Sequence, residues 1–408
     1  MTLKIGRRSL GALVAGTVVA GTRPSHAADT PGVTATELKI GNTMPYSGPA
    51  SSYGVIGKLE TAFFKMVNDE GGVGGRKINY ISLDDGYSPP KTVEQVRRLV
   101  EVDQVAFLFN TLGTPTNSAI QRYVNQKKVP HLFLSTGADK WGDYKHFPWT
   151  LGFQPSYRTE AQIYTKYILK QKPDAKIAIL YQNDDFGKDY PAGVKDVLGA
   201  NYDKQVVSQT YETTDPTIDS QITSLRATGA DALLVAAIPK FAAQSIRKLA
   251  DIGWKPPIFM MTNVAISVGT VINPAGPENA KDMLSTNYIK DPTDQRWAND
   301  AGMKEWRDFM AKHMQGADTA DLSYVFAYSV SKTMLHVLKQ CNGDFSRANV
   351  MKQATNIKDL EVPTLLPGIK VNTSPTNYRP IKAMQMMKWD GHTWVPFGDI
   401  IEGVSTES

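Results

Sequence analysis

The chain has 408 residues, 41% hydrophobic and 21% charged, which exceeds one ordinary domain and has the composition of a soluble globular protein. Its formal net charge of +5 falls to about +1 without Lys4, Arg7, Arg8 and Arg23, which lie in a leading segment expected to be removed. With no Lys/Arg-rich run carrying interleaved aromatics, this balance argues against a nucleic-acid or polyanion partner.

Residues 1–28 read as an export signal, with a basic start, an apolar core over 10–21 and the small-residue site Ser25-His26-Ala27. Arg7-Arg8 followed by Ser9-Leu10 resembles a twin-arginine signal, and a general secretory route is equally open. The segment holds no cysteine for a lipid anchor, and no later run of about 18 apolar residues follows it. The mature chain is therefore expected to be exported and soluble. Cys341, the single cysteine, has no internal disulfide partner and reads as a buried helix residue.

Residues 38–44 read as a strand. Leu59, Ala62, Phe63, Met66 and Val67 then recur at helical spacing, and Gly71-Gly72 supplies a left-handed helix end. A strand over 78–83, the turn Asp84-Asp85-Gly86 and a helix over 90–102 follow. Next come apolar runs at 105–109 and 131–134, with helix-compatible residues 118–126 between them. Ala161, Tyr164, Tyr167 and Ile168 stripe another helix. Strands are expected at 176–181, 205–211, 231–237 and 257–261, with helices at 187–198, 218–227 and 241–252. Pro191 is expected to fit only near the first turn of its helix. Strands separated by helical patterns imply parallel sheets with helices on both faces, hence an α/β fold. The last third reads as helices over 297–313 and 322–339 and a terminal hairpin over 384–397.

The two apolar runs at 105–109 and 131–134 each break into small polar residues: Thr111, Gly113, Thr114 and Thr116 after the first, Ser135, Thr136 and Gly137 after the second. Parallel strands ending in such turns expose N–H and hydroxyl groups where open α/β sheets bind ligands, and the pair suits an anion. Ordinary loops use the same residues, so spacing alone leaves both readings open.

Catalytic signatures do not assemble. Gly71-Gly72-Val73-Gly74-Gly75 follows a helix and precedes a strand, the reverse of a phosphate loop. Two S-x-x-K matches, at Ser245 and Ser329, lack their companion motifs, and no G-x-S-x-G is present. The six histidines are scattered, so neither a metal nor another cofactor is expected. Strand-end polar and aromatic residues without chemistry to perform favour binding over turnover.

The segments 47–54, 68–76 and 83–85, continuing through 117–130, 176–187 and 259–265, resemble the periplasmic leucine/isoleucine/valine-binding family. The resemblance implies two doubly wound parallel-sheet lobes joined by a three-strand hinge that close on a ligand. It implies lobes of residues 29–155 plus 287–379 and 156–286 plus 380–408. It implies no enzymatic activity, a monomer, a small-molecule carboxylate ligand and delivery to the permease of an ABC importer. By position, Tyr53 matches an aromatic against the ligand. Gly113 and Thr114 match a first carboxylate-binding turn, and Ser135, Thr136 and Gly137 the second. Phe186 matches an aromatic that closes over the ligand.

Two positions depart from the family. Tyr157 and Asn263 stand where it places acidic residues near the ligand ammonium, which is costly to bury unpaired. Arg158 offers a bidentate carboxylate contact. With Tyr46 and Trp141 also expected near the cleft, an aromatic or other apolar carboxylic acid joins amino acids as a candidate ligand. Rival readings are a sensing subunit that docks a membrane receptor, and a hydrolase or transferase on a doubly wound fold. A DNA-binding repressor would need a helix-turn-helix where the export signal stands.

Overall fold

A computed structural model describes residues 1–2 and 30–403. The expected export signal falls almost wholly outside the described residues. Two sheets organise the chain. The first holds β1 (Glu37–Met44), β2 (Lys77–Asp84), β3 (Phe107–Phe109), β4 (His131–Leu134) and β5 (Thr150–Gly152), all parallel, in the order β2-β1-β3-β4-β5.

The second sheet holds β6 (Ile177–Gln182), β7 (Val206–Tyr211), β8 (Ala232–Ala236), β9 (Ile258–Met261), β10 (Leu284–Asn287), β11 (Ala383–Trp389) and β12 (Trp394–Glu402). Its order is β12-β11-β10-β9-β8-β6-β7, and only the terminal hairpin β11–β12 runs antiparallel to its neighbours. The chain passes between the sheets after β5, after β10 and before β11. The two lobes are thus each assembled from separated parts of the sequence.

Helix α1 (Val55–Asp69) buries Leu59, Phe63 and Val67 as its spacing predicts. Its buried face is rotated toward Ile56, Glu60 and Phe64, while Ala62 and Met66 are only half-buried. The helix closes through Gly72, whose N–H donates to the Val67 carbonyl at 2.8 Å. Gly72 has φ 82°, and a Cβ there would meet the Arg76 carbonyl oxygen at 2.0 Å, so only glycine fits this turn. Helices Ala301–His313, Leu322–Gln340 and Arg347–Ala354 belong with the first sheet. Phe309 and Tyr328 pack their rings 5.9 and 5.7 Å from that of Phe63, and Arg347 donates to the carbonyls of Val105 and Ala106.

Several expectations need correction. Helix Asp185–Leu198 starts earlier than residue 187 because Asp184 caps it, accepting from the N–H groups of Phe186 and Gly187. Pro191 therefore lies inside the helix rather than in its first turn, which deprives the Gly187 carbonyl of an intrahelical donor. Helix Ala301–His313 starts later than residue 297, where Asp300 caps the Met303 N–H. Strands β5 and β10 and the helix Arg347–Ala354 were not foreseen.

Candidate functional site

The carboxyl ends of the strands face a cavity between the lobes that opens to solvent. On the first lobe, β3 leads through Asn110 (φ 51°) and Gly113 (φ 101°) into the helix Thr114–Gln126. A Cβ on Gly113 would lie 2.6 Å from both Thr116 Oγ1 and Tyr87 Cε2. The helix begins earlier than residue 118 because Pro115 is pre-set for its first turn. No side chain caps that turn, and the Thr114 N–H is among its orphan donors.

Strand β4 bulges at Phe133 (φ 53°), where its pairing with β5 shifts register. Left-handed backbone is unusual for a bulky residue. The bulge is held by Asn110, whose Nδ2 donates to the Phe133 carbonyl at 2.6 Å. The turns after β3 and β4 then meet: the Gly113 N–H donates to the Ser135 carbonyl at 3.3 Å, and the Thr114 and Thr136 hydroxyls lie 2.6 Å apart. Trp141 Nε1 donates to Thr136 Oγ1 at 3.2 Å from behind.

A buried polar network stands beneath this cradle. Asn117 Nδ2 donates to the carbonyls of Thr111 and Gly113 at 2.9 and 2.7 Å, and its Oδ1 accepts from the Thr111 hydroxyl at 2.6 Å. Since the Thr111 hydrogen is committed there, His131 Nε2, 2.6 Å from Thr111 Oγ1, must be the donor. Burial pushes His131 down to about 3, so it is the neutral imidazole that supports the turn.

The second lobe contributes a different floor. Fully buried Glu160 accepts from the hydroxyls of Tyr164 (2.6 Å), Tyr190 (2.5 Å) and Thr286 (2.8 Å) and from the Asn263 N–H (2.8 Å). Burial raises its pKa above the ordinary carboxyl value, and these hydrogen bonds oppose the rise without cancelling it. Glu160 thus fixes the Asn263 backbone with its acceptors already engaged, and it does not line the cavity. Tyr157 packs edge-on to Phe186 with centroids 5.0 Å apart.

Of the residues predicted from sequence, Tyr53, Gly113, Thr114, Ser135, Thr136, Tyr157, Phe186 and Asn263 line the cavity together. Gly137 and Arg158 do not. The Gly137 carbonyl accepts the Tyr157 N–H at 2.8 Å, and a Cβ on it would meet the Pro155 carbonyl at 2.3 Å. The Arg158 guanidinium is held by both oxygens of Asp196, at 2.6 and 2.7 Å, and is engaged away from the cavity lining. Tyr46 and Trp141 also stand outside the lining. Tyr46 instead places its hydroxyl 2.6 Å from Ser82 Oγ.

Sequence reasoning missed Ile56, Tyr87, Ile238, Asn287, Tyr288, Leu322 and Phe326, which are among the residues that also line the walls. None of the lining side chains carries a charge. Among the described residues, no group of three His, Cys, Asp or Glu is placed to hold a metal ion, and no helix is long and apolar enough to cross a membrane.

The lobes touch across the cavity. Tyr53 donates to the Val264 carbonyl at 2.7 Å, and Gln182 Nε2 to the Tyr87 hydroxyl at 3.3 Å. At the rim, Lys140 reaches Asp185 at 3.0 Å and the Asp139 N–H reaches Asp189 at 2.8 Å. The structure is a closed one, with two lobes gripping a largely apolar, uncharged space that has a hydroxyl and N–H cradle on one side.

This two-lobed arrangement encloses a cavity lined from both lobes, and the comparisons with known proteins give its class. A family model described as "Periplasmic binding protein" matches residues 37–393, and the chain belongs to that family. It is 24% identical over 394 residues to the Leu/Ile/Val-binding protein homolog 7 of Brucella suis biovar 1, covering 94% of each chain. Its fold is similar to a branched chain amino acid ABC transporter protein from Thermus thermophilus with bound valine, at TM-score 0.79 and 14% identity, covering 91% of this chain and 98% of that one. It is also similar to a solute binding protein of an ABC transporter from Rhodopseudomonas palustris BisB5 in complex with 3,4-dihydroxy benzoic acid, at TM-score 0.75 and 18% identity, covering 91% and 99%.

Proposed function

We propose that the chain is the exported, periplasmic solute-binding component of an ABC importer and that its ligand is a small aromatic or apolar carboxylic acid without an amine. The carrying observation is that a cavity with a hydroxyl and N–H cradle has no charged side chain in its lining. A carboxylate docks at the Thr114, Ser135 and Thr136 turns, where N–H donors and the helix N-terminus favour negative charge. An ammonium would need a carboxylate, and the nearby buried one, Glu160, has its acceptors taken by protein donors. The aromatic walls from Tyr53, Tyr87, Tyr157 and Phe186 suit a flat or branched apolar body.

We assign one lobe to residues 29–155 plus 287–379 and the other to 156–286 plus 380–408, acting as a monomer. Ligand stabilises the closed form through its contacts with both lobes, and the membrane permease reads that form. A thermal-shift panel of branched-chain amino acids against aromatic and aliphatic acids tests the reading. A bound acid at 100 times its dissociation constant adds about 2.7 kcal/mol and raises the melting temperature. Stabilisation by amino acids alone would sink it.

A further inference from the structure

Strands β9 and β10 pair in parallel at Leu284 and Met260, and beyond that pair the Tyr164 hydroxyl stands between them, accepting the Thr286 N–H at 3.1 Å and reaching the Met261 carbonyl at 2.8 Å. Asn287 follows Thr286 on one side of this break, and Asn263 follows the end of β9 on the other. Both line the cavity, and both are buried. Each amide keeps at least one polar atom without a strong protein partner. Asn287 Oδ1 accepts the N–H groups of Tyr288 and Ile289 at 2.8 and 3.2 Å, which fixes the orientation of the amide. Its Nδ2 is left without a partner. Asn263 Nδ2 meets only the Met384 sulfur at 3.9 Å, a weak acceptor, and its Oδ1 has no protein donor among the described residues. A buried donor left unpaired, as Asn287 Nδ2 is, is costly unless something else completes it.

We propose that Asn287 and Asn263 read a hydroxyl group on the ligand, so that the solute is a hydroxy-substituted carboxylic acid held by its carboxylate at the Thr114 and Ser135 turns and by its hydroxyl at the asparagine pair. This deepens, and rests on, the reading of the cavity as a carboxylate site. A hydroxyl has both complements that the pair lacks: an oxygen to accept from Asn287 Nδ2 and a hydrogen to donate to Asn263 Oδ1. An ammonium carries only donors and leaves Asn287 Nδ2 unpaired. A plain hydrocarbon end leaves both amides unpaired, and a site of this kind rejects the analogue lacking the hydroxyl.

The test uses Asn263→Leu, which keeps the backbone N–H on Glu160 and removes the side-chain acceptor for the ligand hydroxyl. Isothermal titration compares benzoate with 3- and 4-hydroxybenzoate, and 3-phenylpropanoate with 3-(4-hydroxyphenyl)propanoate, on the native protein and the variant. The native protein is expected to favour a hydroxylated member by about tenfold or more, and Asn263→Leu to bring that ratio down toward one, because the hydroxyl hydrogen then lacks its acceptor. The ratio cancels any uniform loss of affinity in the variant, and the native ratio stands by itself should the variant not fold. Equal affinities in the native protein, or an undiminished preference in Asn263→Leu, overturns the asparagine assignment alone. Binding of none of these acids overturns the carboxylate reading with it.

Discussion

The phenol of Tyr53 donates to the backbone carbonyl of Val264 at 2.7 Å, joining the first lobe to the second across the cavity that both residues line. This bond forms only when the lobes are closed, so it contributes to closure and not to the stability of either lobe alone. Tyr53→Phe removes one hydrogen bond worth about 0.5–1.5 kcal/mol, and affinity for a bound acid is expected to fall roughly two- to tenfold. Calorimetric titration reads the affinity, and small-angle scattering reads a shift toward the open form. Unchanged affinity would show that closure does not use the bond.

Thr136 accepts from Trp141 Nε1 and shares a hydrogen bond with Thr114 in the cradle. Thr136→Val preserves shape and removes the hydroxyl, leaving the buried indole N–H without its acceptor. Stability is expected to fall by about 1–3 kcal/mol, with a separate loss of carboxylate affinity. Chemical denaturation measures the first and titration the second. Full affinity in the variant would move the carboxylate away from this turn.

Glu160 gathers Tyr164, Tyr190, Thr286 and the Asn263 N–H around one buried carboxyl. Glu160→Ala strands these donors and is expected to cost roughly 3–5 kcal/mol, whereas Glu160→Gln keeps one acceptor and should cost markedly less. Equal unfolding midpoints for the two variants would mean that the network contributes little.

Asp189 accepts the Asp139 N–H across the lobe boundary, while burial and the charges of Asp139 and Asp185 push its carboxyl up to about 7 against the opposing pull of Arg158. A carboxyl raised above its unfolded value favours the folded form at low pH, and that contribution is lost as pH rises from about 4 through 7. Asp189→Asn keeps an oxygen to accept from Asp139 and removes the charge. The variant is expected to melt higher than the native protein at pH 8 and to match it near pH 4. Parallel melting curves across that range would contradict the assignment.

Much of the fold was legible where a local pattern decides the structure. Leu59, Phe63 and Val67 repeat at helical spacing, Gly72 ends the helix, and the polar turns after residues 109 and 134 stand out against buried strands. The short strands β5 and β10 were not legible, because three or four buried residues carry no periodicity. The cradle was visible because its parts lie close in the chain. The rest of the lining was not, since Tyr87, Asn287 and Phe326 reach the cavity only through tertiary packing. Arg158 misled because sequence gives no sign that Asp196, one helix away, satisfies it first. Asn263 drew attention as an amide where the resemblance implies an acid, and Glu160 behind it holds its backbone N–H rather than the side chain.

The central claim is that the uncharged cavity prefers an acid without an amine, and matched ligand pairs test it most directly. Isothermal titration of 3-phenylpropanoate against phenylalanine, and of 4-methylpentanoate against leucine, varies only the ammonium group. The acids are expected to bind at least about tenfold more tightly than their amino-acid counterparts, since an ammonium buried without a carboxylate is strongly disfavoured. Tighter binding of phenylalanine or leucine than of the matching acid would contradict the account.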